Sequence, residues 1–529
     1  MKKLLSISVF VALAVSAAAQ GVNSTVSVTN DYRSHAADVN KQTMEMLVPD
    51  SLLHFDYKFD YSVFESPYKG AYEFSPYSIK VTPEASGYNA RKLYMKAGAG
   101  YAMHPVLDFV WAPVSSGKCA VSVFNNGRGF IGNYMGGASS CFGEEKFSGW
   151  DASDKFGVES RWTLDKAEVK AAASYDFIGT GDKPEYIGSM THAVHGNVGV
   201  ASVGAVPVAY KVNVFGEYLM GNEDSFMSQL SYNEYSAGID GSAGMGRGAG
   251  RIKLDFAARY YGFNAGETTM ALPHFSLTPH YDFVYGILNV SAGVRLDYTD
   301  KFSIAPDVRV SLGAMSDDIT VYAGVTGGQY ITDFYTLKQG FHRALASATT
   351  TGVTKESLHI YAGLDGHSGS PFRYALRFGW VNYEKAALET SYGYASAMFA
   401  RIYGKLNLSY VNERIEADVN LDAASMIIDD EKVEVDFLRD PSVIAGANFT
   451  YNWNKRIYAT VFAQGRSARQ GTVTELPGWV NLGVRAELKP SGKWGFWAEA
   501  GNLLGMTMWR NYPCAETGRI FTGGITLTL

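Results

Sequence analysis

The stretch "VPVAYKVNVFGEY", residues 206–218, decides the fold. Its even-numbered positions are apolar or small: Val206, Val208, Tyr210, Val212, Val214, Gly216 and Tyr218. Its odd-numbered positions include Lys211, Asn213 and Glu217. Because successive side chains of a strand point to opposite faces, this alternation predicts a β-strand with one apolar face and one polar face.

The same alternation recurs along the chain, for example over 288–298, 414–421, 480–487 and 521–529. In a bilayer every backbone N–H and C=O must be paired within the protein, so a strand-rich chain crosses it only as a closed barrel. A soluble sandwich or propeller would also alternate, but the sequence has no blade-length repeat. We predict an all-β protein, a transmembrane antiparallel β-barrel of about 22 strands within a range of roughly 14 to 22, over residues 90–529.

Residues 1–19 have the pattern of a secretory signal peptide. Two lysines precede the mainly apolar run 4–15, and a small-residue cleavage site ends at Ala19. We therefore expect the mature chain to begin at Gln20 and to reach the cell outer membrane. A membrane-anchoring helix is the alternative interpretation, although the run is short for a span of about 20 residues.

The composition argues against a helical membrane protein and against a nucleic-acid-binding protein. The chain has 529 residues, a net charge of −6 and a mean hydropathy of −0.08. No later window offers about 18 consecutive apolar residues, so we predict no second membrane-spanning helix. The mild negative charge argues against a nucleic-acid partner.

Charged residues on the polar faces of the predicted strands are candidates to line the lumen. Their signs are mixed, which is not typical of a strongly selective ion pore. The alternative is that these charges pair along the wall and only hydrate the interior. The candidate lumen-facing residues are Lys211, Glu217, Lys253, Asp255, Arg259, Arg295, Asp307, Arg309, Arg373, Arg377, Arg485 and Glu487.

The C-terminal half carries a family resemblance. The stretches "YTDKFSIAPDVRVSLG" (298–313), "SLHIYAGLDGHSGSPFRYALRFGW" (357–380) and "LPGWVNLGVRAELKPSGKWGFWAEAGNLLGMTMWRNYP" (476–513) resemble the barrel of TonB-dependent receptor-like outer-membrane proteins of a plug-poor group. The resemblance implies a barrel in outer-membrane lipid, insertion by the barrel assembly machinery, and uptake of a solute that the sequence does not identify. The chain departs from many barrels in ending with Leu529 instead of an aromatic residue.

The region after the signal peptide contains a stretch similar to the energy-coupling box of such receptors: Thr25, Val26, Ser27, Val28 and Thr29. The interval from this stretch to the first convincing strand, 92–98, is too short for a plug domain. We predict that residues 20–89 form an extended periplasmic or lumen-threading segment that contacts TonB or another envelope protein. The alternative role for the box-like stretch is a strand added to a partner's sheet or to the barrel's own inner edge.

Other candidate sites are weaker. The glycine-rich run 241–250 precedes another strand, which favours a flexible turn over a phosphate-binding loop. His192 and His195 would point to opposite faces of a strand, and His274 and His280 lie too far apart to share one metal. We therefore predict no catalytic, cofactor-binding or metal site.

Three further features leave alternatives open. Cys119 and Cys141 flank a Gly/Asn-rich stretch and are candidates for a disulfide, with Cys514 remaining alone. "GHSGS" (366–370) is interpreted as a hairpin loop. The run 333–350 has helical spacing and is expected to lie on the membrane surface, to constrict the lumen, or to connect two strands.

Two functions compete on this evidence. The first is solute transport through a barrel without a full plug, with residues 20–89 gating the periplasmic mouth. The second is a sealed structural or assembly-partner barrel of the cell envelope. An enzyme is disfavoured, because the spacing of candidate residues supplies no base, orienting partner and oxyanion donor together.

Overall fold

The structure is a computed structural model, and it describes most of the chain from residue 92 onward. The predicted signal peptide, the segment 20–89 with its box-like stretch 25–29, and Cys141 all lie outside the described residues. The described ranges are 92–101, 103–137, 145–183, 188–204, 206–225, 228–247, 250–313, 319–367, 371–428, 437–472 and 475–529.

The described residues form a closed antiparallel barrel of 22 strands, as the sequence predicts. Each strand of this ring pairs with its neighbours along the chain. Three short strands lie outside the ring: β20 Arg469–Gln470, β21 Glu475–Leu476 and β24 Cys514–Glu516. The barrel strands are β1 Leu93–Tyr101, β2 Val106–Ser115, β3 Cys119–Gly136, β4 Lys146–Thr163, β5 Ala167–Lys183, β6 Gly188–Ser202, β7 Ala209–Ser225, β8 Ser228–Arg247, β9 Gly250–Ala265, β10 Thr268–Tyr285, β11 Leu288–Tyr298, β12 Phe302–Gly313, β13 Ile319–Thr332, β14 Gly352–His367, β15 Phe372–Glu389, β16 Tyr394–Val411, β17 Ile415–Ile428, β18 Val443–Trp453, β19 Ile457–Arg466, β22 Trp479–Leu488, β23 Trp494–Gly501 and β25 Ile520–Thr528.

The first and last strands close the ring. Strand β1 pairs with β25 in a register that runs from Tyr94 opposite Thr528 to Tyr101 opposite Phe521. Leu529 extends the pairing, because its backbone N–H donates to the carbonyl of Leu93 and its carbonyl accepts from the Leu93 N–H. Closure leaves neither strand with an unpaired sheet edge, which is the condition for a sheet in a bilayer.

The two ends of the barrel differ in their connections. Short turns such as 116–118 and 164–166 lie at the end that holds the start of β1 and the C-terminus, called here the turn end. The opposite end, called the loop end, holds longer connections such as 333–351 and 502–519. The loop end also contains the short strands β20 Arg469–Gln470, β21 Glu475–Leu476 and β24 Cys514–Glu516.

The two faces of the wall have opposite polarity. On β7 the side chains of Val214, Tyr218 and Met220 are exposed, whereas Leu219 and Glu223, at odd-numbered positions of the same strand, are buried. The exposed phase is apolar along the ring and forms the outer face. Large aromatic residues at strand ends are exposed on this face, as expected for interfacial girdles: Tyr101, Tyr285, Phe302, Trp453 and Trp494.

Aromatic rings cover glycines of neighbouring strands on the inner face. The ring of Tyr322 on β13 lies over Gly363 on β14, where a Cβ atom would be 2.6 Å from Cζ of Tyr322 and 2.6 Å from the carbonyl oxygen of Leu376. The ring of Tyr361 lies over Gly324 in the same way. These glycines are therefore required by the close approach of a ring, and the ring restores the packing that glycine lacks.

Within the described ranges, helical structure is confined to the loop end. Helix α1 runs from Phe334 to Gly340, and a single 3₁₀ turn follows at Ala346–Ala348. The described residues contain no helix that is both long enough and apolar enough to cross a bilayer. Within the predicted helical run 333–350, the α-helix thus covers only the seven residues Phe334–Gly340.

The glycine-rich run was placed wrongly as a turn. Strand β8 continues to Arg247, so Gly241, Gly244 and Gly246 pair within the sheet with β7 or β9. Gly241 is covered by the ring of Phe256 on the adjacent strand, which explains why glycine is found inside this strand.

Candidate functional site

The connection between β13 and β14, residues 333–351, folds against the inner face of the barrel and is called here the inner segment. Phe334, Lys338 and Ala344 within it have no exposed surface, and Phe341 is almost completely buried. An ordinary connection at the end of a barrel would be mostly solvent-exposed. Of the three alternatives that the sequence left open, the structure has the chain folded inward.

Helix α1 begins at a polar cap that also attaches it to the wall. The Oδ1 atom of Asp333 accepts the backbone N–H of Thr336 at 2.8 Å, which caps the helix. Its Oδ2 atom accepts from Arg259 on β9 at 2.8 Å. The sequence-predicted lumen residue Arg259 therefore binds the inner segment, and it also binds Glu217 on β7 at 3.2 Å.

Two buried carboxylates hold the two ends of the inner segment. Glu234 on β8 accepts the backbone N–H groups of Phe334 at 2.6 Å and Tyr335 at 3.2 Å. Glu223 on β7 accepts those of Ala346 at 2.6 Å and Ser347 at 3.1 Å. A buried carboxylate is costly unless it is hydrogen-bonded, so each of these bonds satisfies the carboxylate and the segment's backbone at once.

Two basic side chains of the inner segment, Arg343 and His342, contact strands that come before β7 and β8 in the chain. Arg343 donates to both carboxylate oxygens of Asp182 on β5, at 2.7 and 2.8 Å, and its guanidinium lies over the Tyr134 ring on β3. His342 hydrogen-bonds to Asp151 on β4 at 2.7 Å. These contacts fix the centre of the segment to strands that come early in the chain.

Lys338 is fully buried and has only uncharged partners among its hydrogen bonds. Its Nζ atom donates to Ser189 Oγ at 2.8 Å and to the Ala344 carbonyl at 2.7 Å. Burial lowers the pKa of this amine to about 7. Two acceptors match the two N–H donors of a neutral amine, so the site suits the uncharged form better than an ammonium with three donors.

An apolar cluster completes the attachment. Phe334 packs edge-on against Tyr232 and at a tilt against Phe263, both on the inner face of the wall. The cluster of buried residues comprises Ala193, Leu219, Tyr232, Tyr261, Phe263, Ala265, Ile331, Phe334 and Ala346.

The inner segment also contacts the opposite side of the ring. The Leu345 N–H donates to the carbonyl of Tyr392 at 2.7 Å, and the Thr350 N–H donates to that of Tyr394 at the start of β16. The ring of Phe341 packs edge-on against that of Tyr394. Strands β4 and β16 stand on nearly opposite sides of the 22-strand ring, so the segment crosses the lumen near the loop end.

A charged cluster surrounds His195 where the segment meets β5, β6 and β7. Its Nε2 atom lies 3.3 Å from Asp176 and its Nδ1 atom lies 3.5 Å from Glu217. The ring of Tyr335 packs against His195 with centroids 4.4 Å apart, and its hydroxyl donates to Asp176. The cluster thus joins the wall to the segment through His195. From the sequence, this histidine was considered only as a metal ligand and was rejected in that role.

Most of the twelve sequence-predicted lumen residues contact a partner along the wall. Lys253 binds Asp255 at 2.7 Å, and Asp307 lies 3.7 Å from His280. The guanidinium groups of Arg309 and Arg377 lie over tyrosine rings. Arg295 binds Asp297, and Arg485 binds Glu499. Glu487 lies near Lys489 and Thr526. The side chains of Lys211 and Arg373 are exposed.

The histidine pairs have separate partners. His192 hydrogen-bonds to Tyr175, and His274 hydrogen-bonds to the carbonyl of Gln329. His280 lies 3.1 Å from Asp255. Among the residues that the structure describes, no group of three or more His, Cys, Asp or Glu side chains is arranged to hold a metal ion.

Sequence reasoning missed the residues that hold the inner segment. Glu223, Glu234 and Asp182 occupy the polar phase of their strands, as the predicted lumen residues do. Their phase was visible in the sequence, but their partners on the segment are 100 or more positions away. Their assignment therefore depended on the tertiary structure.

The closed 22-strand ring has an apolar outer face and a polar inner face, which is the pattern of a membrane-spanning β-barrel. The FrpB iron transporter of Neisseria meningitidis matches 84% of this chain and 82% of its own, with a TM-score of 0.64 and 10% identity. A mutant of the ferric enterobactin receptor PfeA of Pseudomonas aeruginosa, bound to enterobactin, matches 83% and 81%, with a TM-score of 0.61 and 10% identity.

The copper transporter OprC matches 83% of this chain and 80% of its own, with a TM-score of 0.60 and 12% identity. No family model matches the sequence, and no curated protein matches it either. The fold of the described chain is therefore that of TonB-dependent outer-membrane receptors, the family whose barrel the C-terminal sequence resembles.

Proposed function

We propose that this chain is an outer-membrane barrel through which a hydrophilic solute passes, and that it is not an enzyme. The observation that carries the proposal is the polar inner face of a closed ring of 22 strands. A hydrophilic solute could pass through the lumen that this face lines, while the apolar outer face contacts lipid. The structural neighbours support the same class, because they are an iron transporter, a copper transporter and a ferric enterobactin receptor.

The proposal includes the N-terminal region. After removal of residues 1–19, residues 20–89 would gate the periplasmic mouth of a barrel without a full plug. In this proposal the stretch 25–29 contacts TonB or adds a strand to another envelope protein. The support for both roles is the sequence pattern alone.

Planar-bilayer conductance tests solute passage. We would compare the wild type, a variant lacking residues 20–85, and the double variant Glu223→Ala/Glu234→Ala, which removes the acceptors at both ends of the inner segment. Conductance in the wild type supports an open pathway, and conductance only after the N-terminal deletion supports a gate formed by that region. No conductance from any of the three, in barrels shown to be folded, would contradict transport.

A pull-down with the periplasmic domain of TonB tests the coupling. We expect the wild type to be retained and Val26→Pro to be lost, because proline removes a backbone donor from an added strand. Equal recovery of both proteins would exclude coupling through residues 25–29.

A sealed structural barrel is the second candidate, and one observation favours it. The inner segment crosses the lumen and is held by buried charges at both ends. In that case the wild type and the N-terminal deletion would be folded and silent, and only Glu223→Ala/Glu234→Ala would conduct.

A further inference from the structure

The inner segment is built as a fixed part of the wall. Glu234 and Glu223 each accept two consecutive backbone N–H groups, one pair at each end of the segment. Between them, Arg343 forms a two-bond ion pair with Asp182. Releasing the segment would break all of these hydrogen bonds together, so we take it to narrow the lumen as a permanent element.

All the Asp, Lys and Arg side chains of the inner segment are directed at the wall. The segment, all of which the structure describes, contains Asp333, Lys338 and Arg343 as its only Asp, Glu, Lys or Arg residues. Asp333 is bound by Arg259, Lys338 by Ser189, and Arg343 by Asp182. The positions that remain exposed are Thr336, Gln339, Gly340, Ser347, Ala348 and Thr350.

The free surface that the segment itself contributes to the constriction is therefore uncharged and carries hydroxyl and amide groups. Such groups can replace the water molecules around a neutral polar solute through hydrogen bonds. An ion that loses part of its hydration there meets no opposite charge from the segment, so its passage is not favoured.

Resting on the proposed function, we propose that the inner segment sets the selectivity of the pathway, and that it admits uncharged hydrophilic solutes of the polyol or sugar class in preference to ions of either sign. The segment is selective because its Asp, Lys and Arg side chains form the wall contacts that hold it in place, which leaves its exposed surface without charges. Selectivity and anchoring thus depend on the same residues.

Charges placed on the exposed surface test this proposal. Thr336 is the third residue of α1, where a glutamate is compatible with the Asp333 cap, so Thr336→Glu keeps the helix intact. Thr336→Lys is the opposite-charge variant, and Thr350→Glu repeats the test at another exposed position. Ser311→Glu, which adds a charge to the inner face of β12 near the turn end, is the matched control.

Two measurements are made on barrels in bilayers and liposomes. The ratio of cation to anion permeability should lie near its free-solution value in the wild type, rise about threefold or more in Thr336→Glu and Thr350→Glu, and fall in Thr336→Lys. Ser311→Glu should leave the ratio unchanged. Liposome swelling should be faster with glucose than with glucosamine or gluconate, which carry opposite charges at a similar size.

The outcomes separate this inference from the proposed function. Conductance whose ion ratio is the same in the wild type and in all the Thr336 and Thr350 variants would overturn the inference while solute passage stands. A strongly ion-selective wild type would also overturn it. If the wild type passes no probe and only Glu223→Ala/Glu234→Ala does, the segment is a seal and the inference fails. If the wild type, the N-terminal deletion and the double variant are all folded and silent, the proposed function fails as well.

Discussion

Glu223 and Glu234 are the residues on which the position of the inner segment depends most directly. Each is almost completely buried, and each accepts two adjacent backbone N–H groups of a segment that lies far away in sequence. Charge-assisted bonds of this kind are stronger than neutral ones, and their loss leaves buried donors without acceptors. Asp182 plays the matching part for the side chain of Arg343.

The first prediction concerns Glu234→Ala. The variant leaves the N–H groups of Phe334 and Tyr335 without an acceptor, which should weaken the docking of α1 by about 2–4 kcal/mol. Hydrogen exchange of the amides from 334 to 337 should accelerate accordingly, while exchange in β4 to β9 stays slow. Glu416→Ala, at an exposed position on the polar phase of β17, is the control, and unchanged exchange in the Glu234 variant would refute the role given to this carboxylate.

The second prediction concerns pH. Burial lowers the pKa of Lys338 from 10.5 to about 7, so the unfolded chain binds more protons than the native chain between these values. The free energy of unfolding should therefore rise with pH across this window, and the contribution is lost as the pH falls through about 7. In detergent-solubilised protein, Lys338→Met should flatten this part of the stability profile relative to the wild type. Parallel profiles for the two proteins would show that Lys338 does not titrate in this way.

At the scale of elements, the inner segment illustrates how tertiary contacts override a local pattern. Leu337, Phe341 and Leu345 recur at helical spacing, and all three are buried, yet α1 ends at Gly340. Beyond that point the backbone N–H groups of Leu345 and Thr350 donate to the carbonyls of Tyr392 and Tyr394, and those of Ala346 and Ser347 donate to Glu223. Competing acceptors on the wall thus replace the helical hydrogen bonds.

The third prediction concerns a pairing of glycine and tyrosine between β13 and β14. A valine at Gly363 would clash with the ring of Tyr322 and with a backbone carbonyl, which should cost about 1–3 kcal/mol and lower the yield of folded barrel. Gly216→Val is the matched control, because a Cβ atom there meets nothing within 4 Å. The fraction of protein that migrates as a folded species in unheated SDS gels measures the effect. Equal fractions for the two variants would contradict it.

At the scale of the whole molecule, the alternation of polarity predicted the fold because it is repeated in every strand. The phase of residues such as Lys253, Arg295 and Glu487 was sufficient to place them on the polar face. The constriction could not be predicted, since its contacts join positions such as 151 and 342 that no local pattern connects. Helical spacing indicated only that 333–350 was unusual.

The fourth prediction concerns closure of the ring. Removing residues 520–529 deletes β25 and leaves β1 and β23 as open edges, so we expect no folded species in unheated SDS gels. Leu529→Phe should fold like the wild type, because the hydrogen bonds to Leu93 come from the backbone. A folded barrel from the truncated chain would show that closure does not require the last strand.

The span of the inner segment has a consequence for the order of assembly. His342 and Asp151 are separated by 191 positions, and Arg343 and Asp182 by 161, so neither contact can form before the wall has curved far enough to bring β4 and β13 together. The backbone hydrogen bond from Thr350 to Tyr394 also requires the start of β16, which comes later in the chain. Contacts of such long range form slowly. The segment is therefore among the last parts of the barrel to dock. Until it docks, the carboxylates of Glu223 on β7 and Glu234 on β8 stay hydrated, and the interior of the barrel is wider than in the finished protein.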